Sequence, residues 1–408
     1  MKIAGFVRIF VIITFSLVTV FSCLAQKAKG SAPADAVLTK PEAVGFSSER
    51  LENLHHLIQD EIDKKQLVGA ITILARHGKI IDYRTYGQRD QATNTAMTKD
   101  AIFRDYSMTK PVTGVAMMIL YEQGKWQPND PISKYIPEFK NLKVFNGVDK
   151  EGKPVLVDPD HAPTMRELMS HSAGFSYGNG KTVVDAMYKD AKPMQSANLQ
   201  EMINKLATLP LNYQPGKGWT YSLSMDIEGY LVEKLSGQTL PDFMRDHIFT
   251  PLNMKDAGFF VPQEKRSRFA TNYKEDQGQL GATAAGAPPT DYTTQPTLPS
   301  GGGGLVSTAE DYYHFAQMLG NGGEFEGKRV LAPATVKLMS SNHLPANLLT
   351  GEFGIGQHIM RPGFGYGFNC AVVFDPQKPT CPTAKEHFSG MVLLEPGSGL
   401  ILRMMLFS

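Results

Sequence analysis

The tetrapeptide Ser107-Met108-Thr109-Lys110 heads residues 107–124, a stretch in which Val112, Val115, Ala116, Ile119 and Leu120 recur at helical spacing. Residues three apart share one face of a helix, so the Lys110 ammonium can reach the Ser107 hydroxyl one turn away. The helix start adds unpaired backbone N–H groups and the positive end of its dipole beside that hydroxyl. Pro111 falls in the first turn, where a missing N–H costs least. A serine is a weak nucleophile until a neighbouring base takes its proton. Lysine is that base only when burial or another cation depresses its pKa. The motif therefore asks for a fold that buries the head of this helix, and neither residue needs a metal or cofactor. Against it, a Ser-x-x-Lys also arises by chance, with the lysine on a solvated face.

Three further boxes follow in order: Arg166-Glu167-Leu168-Met169-Ser170-His171-Ser172-Ala173-Gly174, then Trp219-Thr220-Tyr221-Ser222-Leu223, then Ser300-Gly301-Gly302-Gly303-Gly304-Leu305-Val306-Ser307-Thr308. With Ser107 and Lys110 ahead of them, the set resembles the serine β-lactamase and penicillin-binding-protein superfamily. Within it the likeness is to the class C-like branch, in particular the family VIII carboxylesterases, and it runs from about Val44 to about Lys385. The resemblance implies that Ser107 is the acyl-accepting nucleophile, Lys110 its activating partner, and Tyr221 the second-box tyrosine acting as general base and then acid. Where β-lactamases of this branch carry Tyr-x-Asn, the chain has Tyr221-Ser222-Leu223, which tilts the expected substrate towards carboxylic esters. A buried Tyr221 beside an ammonium is expected to ionise more easily and to relay a proton to the leaving group. The expectation is a serine hydrolase working through an acyl-enzyme on a small-molecule ester or amide. The alternatives are a β-lactamase or D-amino-acid peptidase, a penicillin-binding sensor acylated without turnover, and an inactive truncated product.

Two other patterns compete for the site. Gly174-Phe175-Ser176-Tyr177-Gly178 fits the Gly-x-Ser-x-Gly nucleophile elbow, which requires a strand before the serine and a helix after it. Residues 164–171 read as a helix instead, and Asn179-Gly180 follows as a turn. Tyr177-Gly178-Asn179 fits Tyr-x-Asn and rivals Tyr221, but it lies in a glycine-rich loop, whereas Tyr221 leads into the apolar helical run 225–235.

With 408 residues, 42% hydrophobic and 20% charged, the chain has the composition of a globular protein with a large core. A net charge of +1 gives no sign of a nucleic-acid partner, and oligomeric state has no signal in the sequence. Lys2 and Arg8 precede the apolar residues 9–21, and Cys23-Leu24-Ala25 offers a small-residue cleavage site. Residues 1–25 thus read as a cleaved secretory signal, which places the protein in the periplasm or outside the cell. An uncleaved anchor is the alternative, although the apolar stretch is short for it, and lipidation at Cys23 is another. No interior run is long enough to span a membrane. Cys370 and Cys381 remain after cleavage and could pair or stay as free thiols. His55 and His56 face apart on a helix and His171 has no visible ligand partners, so all three read as structural and no metal site is expected.

Residues 26–43 read as a flexible leader and 44–408 as one catalytic domain. Ser47 caps a first helix with Leu51, Leu54, Leu57, Ile58 and Ile62 on one face. Residues 70–75 and 80–86 alternate as strands around His77-Gly78, a helix follows at 308–319, and a hairpin is expected after Ala371. The fold class is α/β and two-lobed: an antiparallel sheet flanked by helices, from about 44–145 and 285–385, with an α-rich lobe inserted at about 146–284. The resemblance places the site in the cleft between lobes. It also implies a third box, Trp-x-Gly in esterases, on a late strand, and here the chain departs from the pattern. Read one frame over, a synonymous back-translation of Ser389 to Phe407 yields a Trp-x-Gly box, an aromatic strand and an Asp-Pro turn. Residues 386–408 therefore read as an aberrant, frame-shifted tail unable to supply a strand.

Overall fold

The computed structural model describes residues 38–276, 279–283, 291–349, 353–355, 358–360, 363–373, 392–394 and 404–407. Helix α1, Ser48–Asp63, starts where expected because the Ser47 side chain accepts a hydrogen bond from the Arg50 N–H at 3.2 Å. Its buried face differs from the expected one. Leu51 and Ile58 are buried, but Leu57 is 44% exposed, and His55 takes the inward position. Asp82 causes the swap, since its Oδ1 lies 3.0 Å from His55 Nε2 and both side chains are buried.

Strand β1, Gly69–Arg76, and strand β2, Lys79–Asp90, pair antiparallel around His77-Gly78. Both turn residues have positive φ, 52° and 73°, the pattern of a two-residue hairpin whose twist matches its strands. Strand β3, Thr95–Ala96, extends the sheet beyond β2. On the other edge, Met404–Phe407 pairs antiparallel with β1, Ala70 lying opposite Phe407 and Ile73 opposite Met404. The expectation that the tail supplies no strand is corrected here: its last apolar run suits the edge of a strand buried along most of its length. A second tail segment, Val392–Leu394, runs parallel to Ala371–Val373, which itself pairs antiparallel with the upstream strand Phe364–Tyr366. The downstream arm of the expected hairpin, with Cys381, lies outside the described residues.

Strand β4, Ile102–Arg104, pairs with Val306–Thr308, and this short ladder joins segments some 200 residues apart. Beside it the Asp105 N–H donates to the Leu305 carbonyl at 2.9 Å, and Ser307 Oγ donates to Asp105 Oδ1 at 2.8 Å. The Gly301 to Gly304 loop is thereby held against the head of the next helix. The α-helical part of that helix, α2, is Thr109–Glu122, and Tyr106–Met108 forms a 3-10 turn before it. Every residue of α2 from Thr109 to Leu120 is buried.

Four helices follow: α3, Met165–Met169; α4, Val183–Ala191; α5, Leu199–Leu206; and α6, Ser224–Ser236. Helix α6 packs on α2, α3, α5 and α7, Leu240–Met244. Helix α8, Ala309–Gly320, opens with a Thr308/Asp311 capping box and packs on β1, while α1 packs on β2 and α9, Pro333–Met339, on α2. Among the described residues, no helix is long and apolar enough to cross a membrane.

Candidate active site

Between β4 and α2 the backbone turns sharply at Tyr106, whose φ of 44° is rare for an aromatic residue. Strain of this kind is kept only where the surroundings over-determine it, and here it presents Ser107 at the mouth of the helix. Lys110 Nζ donates to Ser107 Oγ at 3.1 Å, and Tyr221 OH donates to the same oxygen at 2.7 Å. The amine is buried and donates a second, shorter bond to the Gly302 carbonyl at 2.6 Å. It lies 4.5 Å from the Tyr221 ring centroid and 5.7 Å from that of Tyr177. Ser107, Lys110 and Tyr221, chosen from the sequence, are thus brought together.

The glycine loop closes the site because α2 carries hydroxyls where it needs them. Thr113 Oγ1 donates to the Gly301 carbonyl at 2.7 Å, and Thr109 Oγ1 accepts from the Leu305 N–H at 3.1 Å. On the far side stand the aromatic rings of Tyr177, Trp219, Tyr221 and Tyr366. His171 sits among them, with its ring centroid 4.8 Å from that of Tyr221, and its Nδ1 accepts from the Ser222 N–H at 3.2 Å. The sequence reading of His171 as structural understates it, since this ring backs the tyrosine that touches Ser107.

Burial pushes Lys110 down to about 7, with Asp226 and Glu228 pulling the other way. Burial and then Lys110 hold His171 well below its usual range, so its ring is neutral. Tyr221 was expected to ionise more easily beside the ammonium, and this is corrected: burial raises its pKa despite the bond to Ser107, and it remains a phenol. Asp226 and Glu228 were missed inside a run read as apolar. Both are fully buried, and burial raises the pKa of each, that of Glu228 to about 8. The available signal was two carboxylates in a helix otherwise fit for the core.

The competing patterns separate cleanly. Ser176 Oγ donates to Asp185 Oδ1 at 2.5 Å and accepts from the Gly178 N–H at 2.8 Å, which uses it as a loop brace. It follows α3 and the left-handed His171, not a strand. Tyr177 does approach the site, its ring 5.6 Å from that of Tyr221, but Tyr221 makes the bond to Ser107. Leu223 is buried and offers no polar group. Cys370 is a buried free thiol pushed up to about 12 by burial. Among the described residues, no three His, Cys, Asp or Glu gather into a metal-binding cluster.

Comparison with known proteins identifies the family and the fold. The Beta-lactamase family pattern matches residues 54–384. Protein Rv1367c of Mycobacterium tuberculosis is 33% identical over 329 residues, 79% of each chain. Esterase EstB of Burkholderia gladioli is 28% identical over 352 residues, 81% of each. Among solved structures, EstCE1, a hydrolase with promiscuous acyltransferase activity, is similar with a TM-score of 0.65 and 26% identity, covering 80% of this chain and 84% of its own. Simvastatin synthase of Aspergillus terreus reaches a TM-score of 0.67 over 80% and 83% of the two chains, and at 21% identity that likeness concerns the fold alone.

The loop has a steric limit. A Cβ on Gly301 would lie 2.2 Å from the Met225 carbonyl oxygen, a backbone atom of α6 that cannot swing aside. Gly301→Ala should therefore push the loop off Lys110, lowering kcat by at least about tenfold and stability by roughly 1–3 kcal/mol. Steady-state kinetics and urea unfolding check it; wild-type values for both would mean that the loop is not packed as described.

Proposed function

The chain belongs to the Beta-lactamase family and is a serine hydrolase; from that premise we propose that it hydrolyses carboxylic esters through an acyl-enzyme on Ser107. One observation carries the reading: Ser107 Oγ is held between a buried amine with a pKa near 7 and a phenol that stays protonated. Esterase EstB and the hydrolase EstCE1 support the ester as substrate class.

In this reading neutral Lys110 takes the Ser107 proton as Oγ bonds to the ester carbonyl carbon. The bond from that carbon to the alcohol oxygen then breaks, and Tyr221 gives its phenolic proton to the departing oxygen. The Lys110 ammonium, beside the Tyr221 ring, restores that proton, so the net transfer is from serine to alcohol. Water repeats the sequence on the acyl-enzyme, and the acid leaves with Ser107 reprotonated. The dipole at the start of α2 favours the negative charge that builds up on Ser107.

Ser107→Ala should abolish turnover and labelling by a fluorophosphonate, whereas Ser176→Ala should keep both. Lys110→Ala and Tyr221→Phe should each lower kcat by about 10² to 10⁴, and the double variant should be little worse than either. Since only the neutral amine is a base, kcat/KM should rise about tenfold per pH unit below pH 7 and level off above it. Label retained in Ser107→Ala, or a profile flat from pH 5 to 8, would refute the assignment.

Short-chain p-nitrophenyl esters should be turned over far better than nitrocefin, because Leu223 offers a lactam side chain no polar partner. Comparable rates on both would replace the esterase reading with a lactamase one.

The basic start, the apolar residues 9–21 and Cys23-Leu24-Ala25 support export of this enzyme from the cytosol. Mass analysis of the mature protein should find an N-terminus at Gln26. Retention of Met1 would overturn the export reading.

A further inference from the structure

Beneath the Ser107 site lies a buried acid that takes no direct part in activating the serine. Asp226, on the first turn of α6, is fully buried. Its Oδ1 accepts from Ser300 Oγ at 2.5 Å and from the Gly302 N–H at 3.1 Å. Ser300 Oγ in turn accepts from the Gly303 N–H at 3.0 Å. That N–H shares a rigid peptide plane with the Gly302 carbonyl, the group to which Lys110 donates at 2.6 Å. A continuous relay therefore runs from the carboxylate through a hydroxyl and one peptide plane to the amine.

The other carboxyl oxygen, Oδ2, has no hydrogen-bond partner among the described residues. It points at Gly302, where a Cβ would come within 2.7 Å of it. An uncovered carboxylate oxygen in the core is expensive unless a positive charge compensates it. The groups facing Lys110 are few. Tyr221 and Tyr177 are phenols and His171 is neutral. Glu228, held by Asn369 Nδ2 at 2.5 Å, is pushed up to about 8. Asp226 is also raised by burial, while the Ser300 hydroxyl, Lys110 and the Gly302 N–H pull it back down.

We propose that Asp226 is a positioning residue of the Ser107 site: through Ser300 and the Gly303 N–H it aims the Gly302 carbonyl at Lys110, and its uncovered oxygen supplies the negative charge that the amine faces. The proposal rests on the reading of Lys110 as the base. It separates two effects that substitutions can divide. Asp226→Asn keeps an acceptor for Ser300 and Gly302 but removes the charge, so Lys110 should lose its proton more readily. Ser300→Ala cuts the relay but leaves the charge.

The test uses the full chain and two readouts as functions of pH: fluorophosphonate labelling of Ser107 and kcat/KM on a p-nitrophenyl ester. In Asp226→Asn the acid limb should move down by about one pH unit. In Ser300→Ala the limb should stay while kcat falls about tenfold or more at unchanged KM. A purely structural role would not move the limb. If Ser107 of the wild type labels with a limb near pH 7 and Asp226→Asn keeps that limb, this inference fails alone. If the wild type shows no Ser107 labelling or no limb, the reading of the site fails and takes this inference with it. Should Asp226→Asn fail to fold, Ser300→Ala with wild-type kcat would overturn the relay.

Discussion

The amine of Lys110 has to live in the interior, and much of the surrounding structure follows from that requirement. Its depression from 10.5 to about 7 corresponds to a penalty on the order of 5 kcal/mol for keeping the ammonium folded. The penalty applies in full below pH 7, where the folded and unfolded states are both protonated. It fades as pH rises towards 10.5, because the unfolded chain binds more protons across that window. A residue this unfavourable to bury persists where its neutral form is useful. The fold limits the damage with one strong acceptor, the Gly302 carbonyl, and with a carboxylate four helices on in sequence.

The acceptor is available only because distant segments converge. Ser107 and Lys110 come as a local pair, three residues apart on one chain segment. Gly302 reaches them through the β4 ladder with Val306–Thr308, and Asp226 through the packing of α6 on α2. Gly301 and Gly302 are needed because the loop is sandwiched there between the Met225 carbonyl, the Asp226 carboxylate and the Tyr177 hydroxyl, leaving no room for a Cβ. Aromatic side chains complete the wall, and rings that carry no charge keep the local dielectric low, which strengthens each remaining electrostatic contact.

What the sequence revealed follows the range of the physics involved. The Ser47 cap, the His77-Gly78 turn, the Thr308 helix start and the pairing of Ser107 with Lys110 are set within a few residues, and local rules found them. Leu57 was misplaced because the residue that draws His55 inward, Asp82, belongs to a distant element, strand β2. The Tyr106 conformation had no warning in its side chain, since aromatic residues rarely adopt it. Asp226 and Glu228 disappeared into an apolar run because their value lies in facing Lys110, a contact across the core that no periodicity encodes. The tail strand Met404–Phe407 was discounted for its glycines and Pro396 upstream, although pairing needs only its four apolar residues.

The same reasoning explains why Tyr221 holds its place at Ser107 while Tyr177 does not. Both rings lie near the amine and both are half-buried, so proximity to Lys110 does not distinguish them. Tyr221 is backed by the His171 ring, whose Nδ1 is fixed by the Ser222 N–H next to Tyr221 itself. Tyr177 instead has its hydroxyl directed to the Gly302 side of the loop. In the proposed mechanism, the tyrosine that donates to the departing oxygen needs its hydroxyl on the serine and a proton it does not lose unaided. Burial supplies the second condition and the histidine brace the first. The site thus combines an amine that burial makes weak enough as a base to be free near neutral pH with a phenol that burial makes reluctant to ionise. One desolvated pocket moves the two groups in opposite directions, down for the cation and up for the anion, and so readies both for a proton to pass between them.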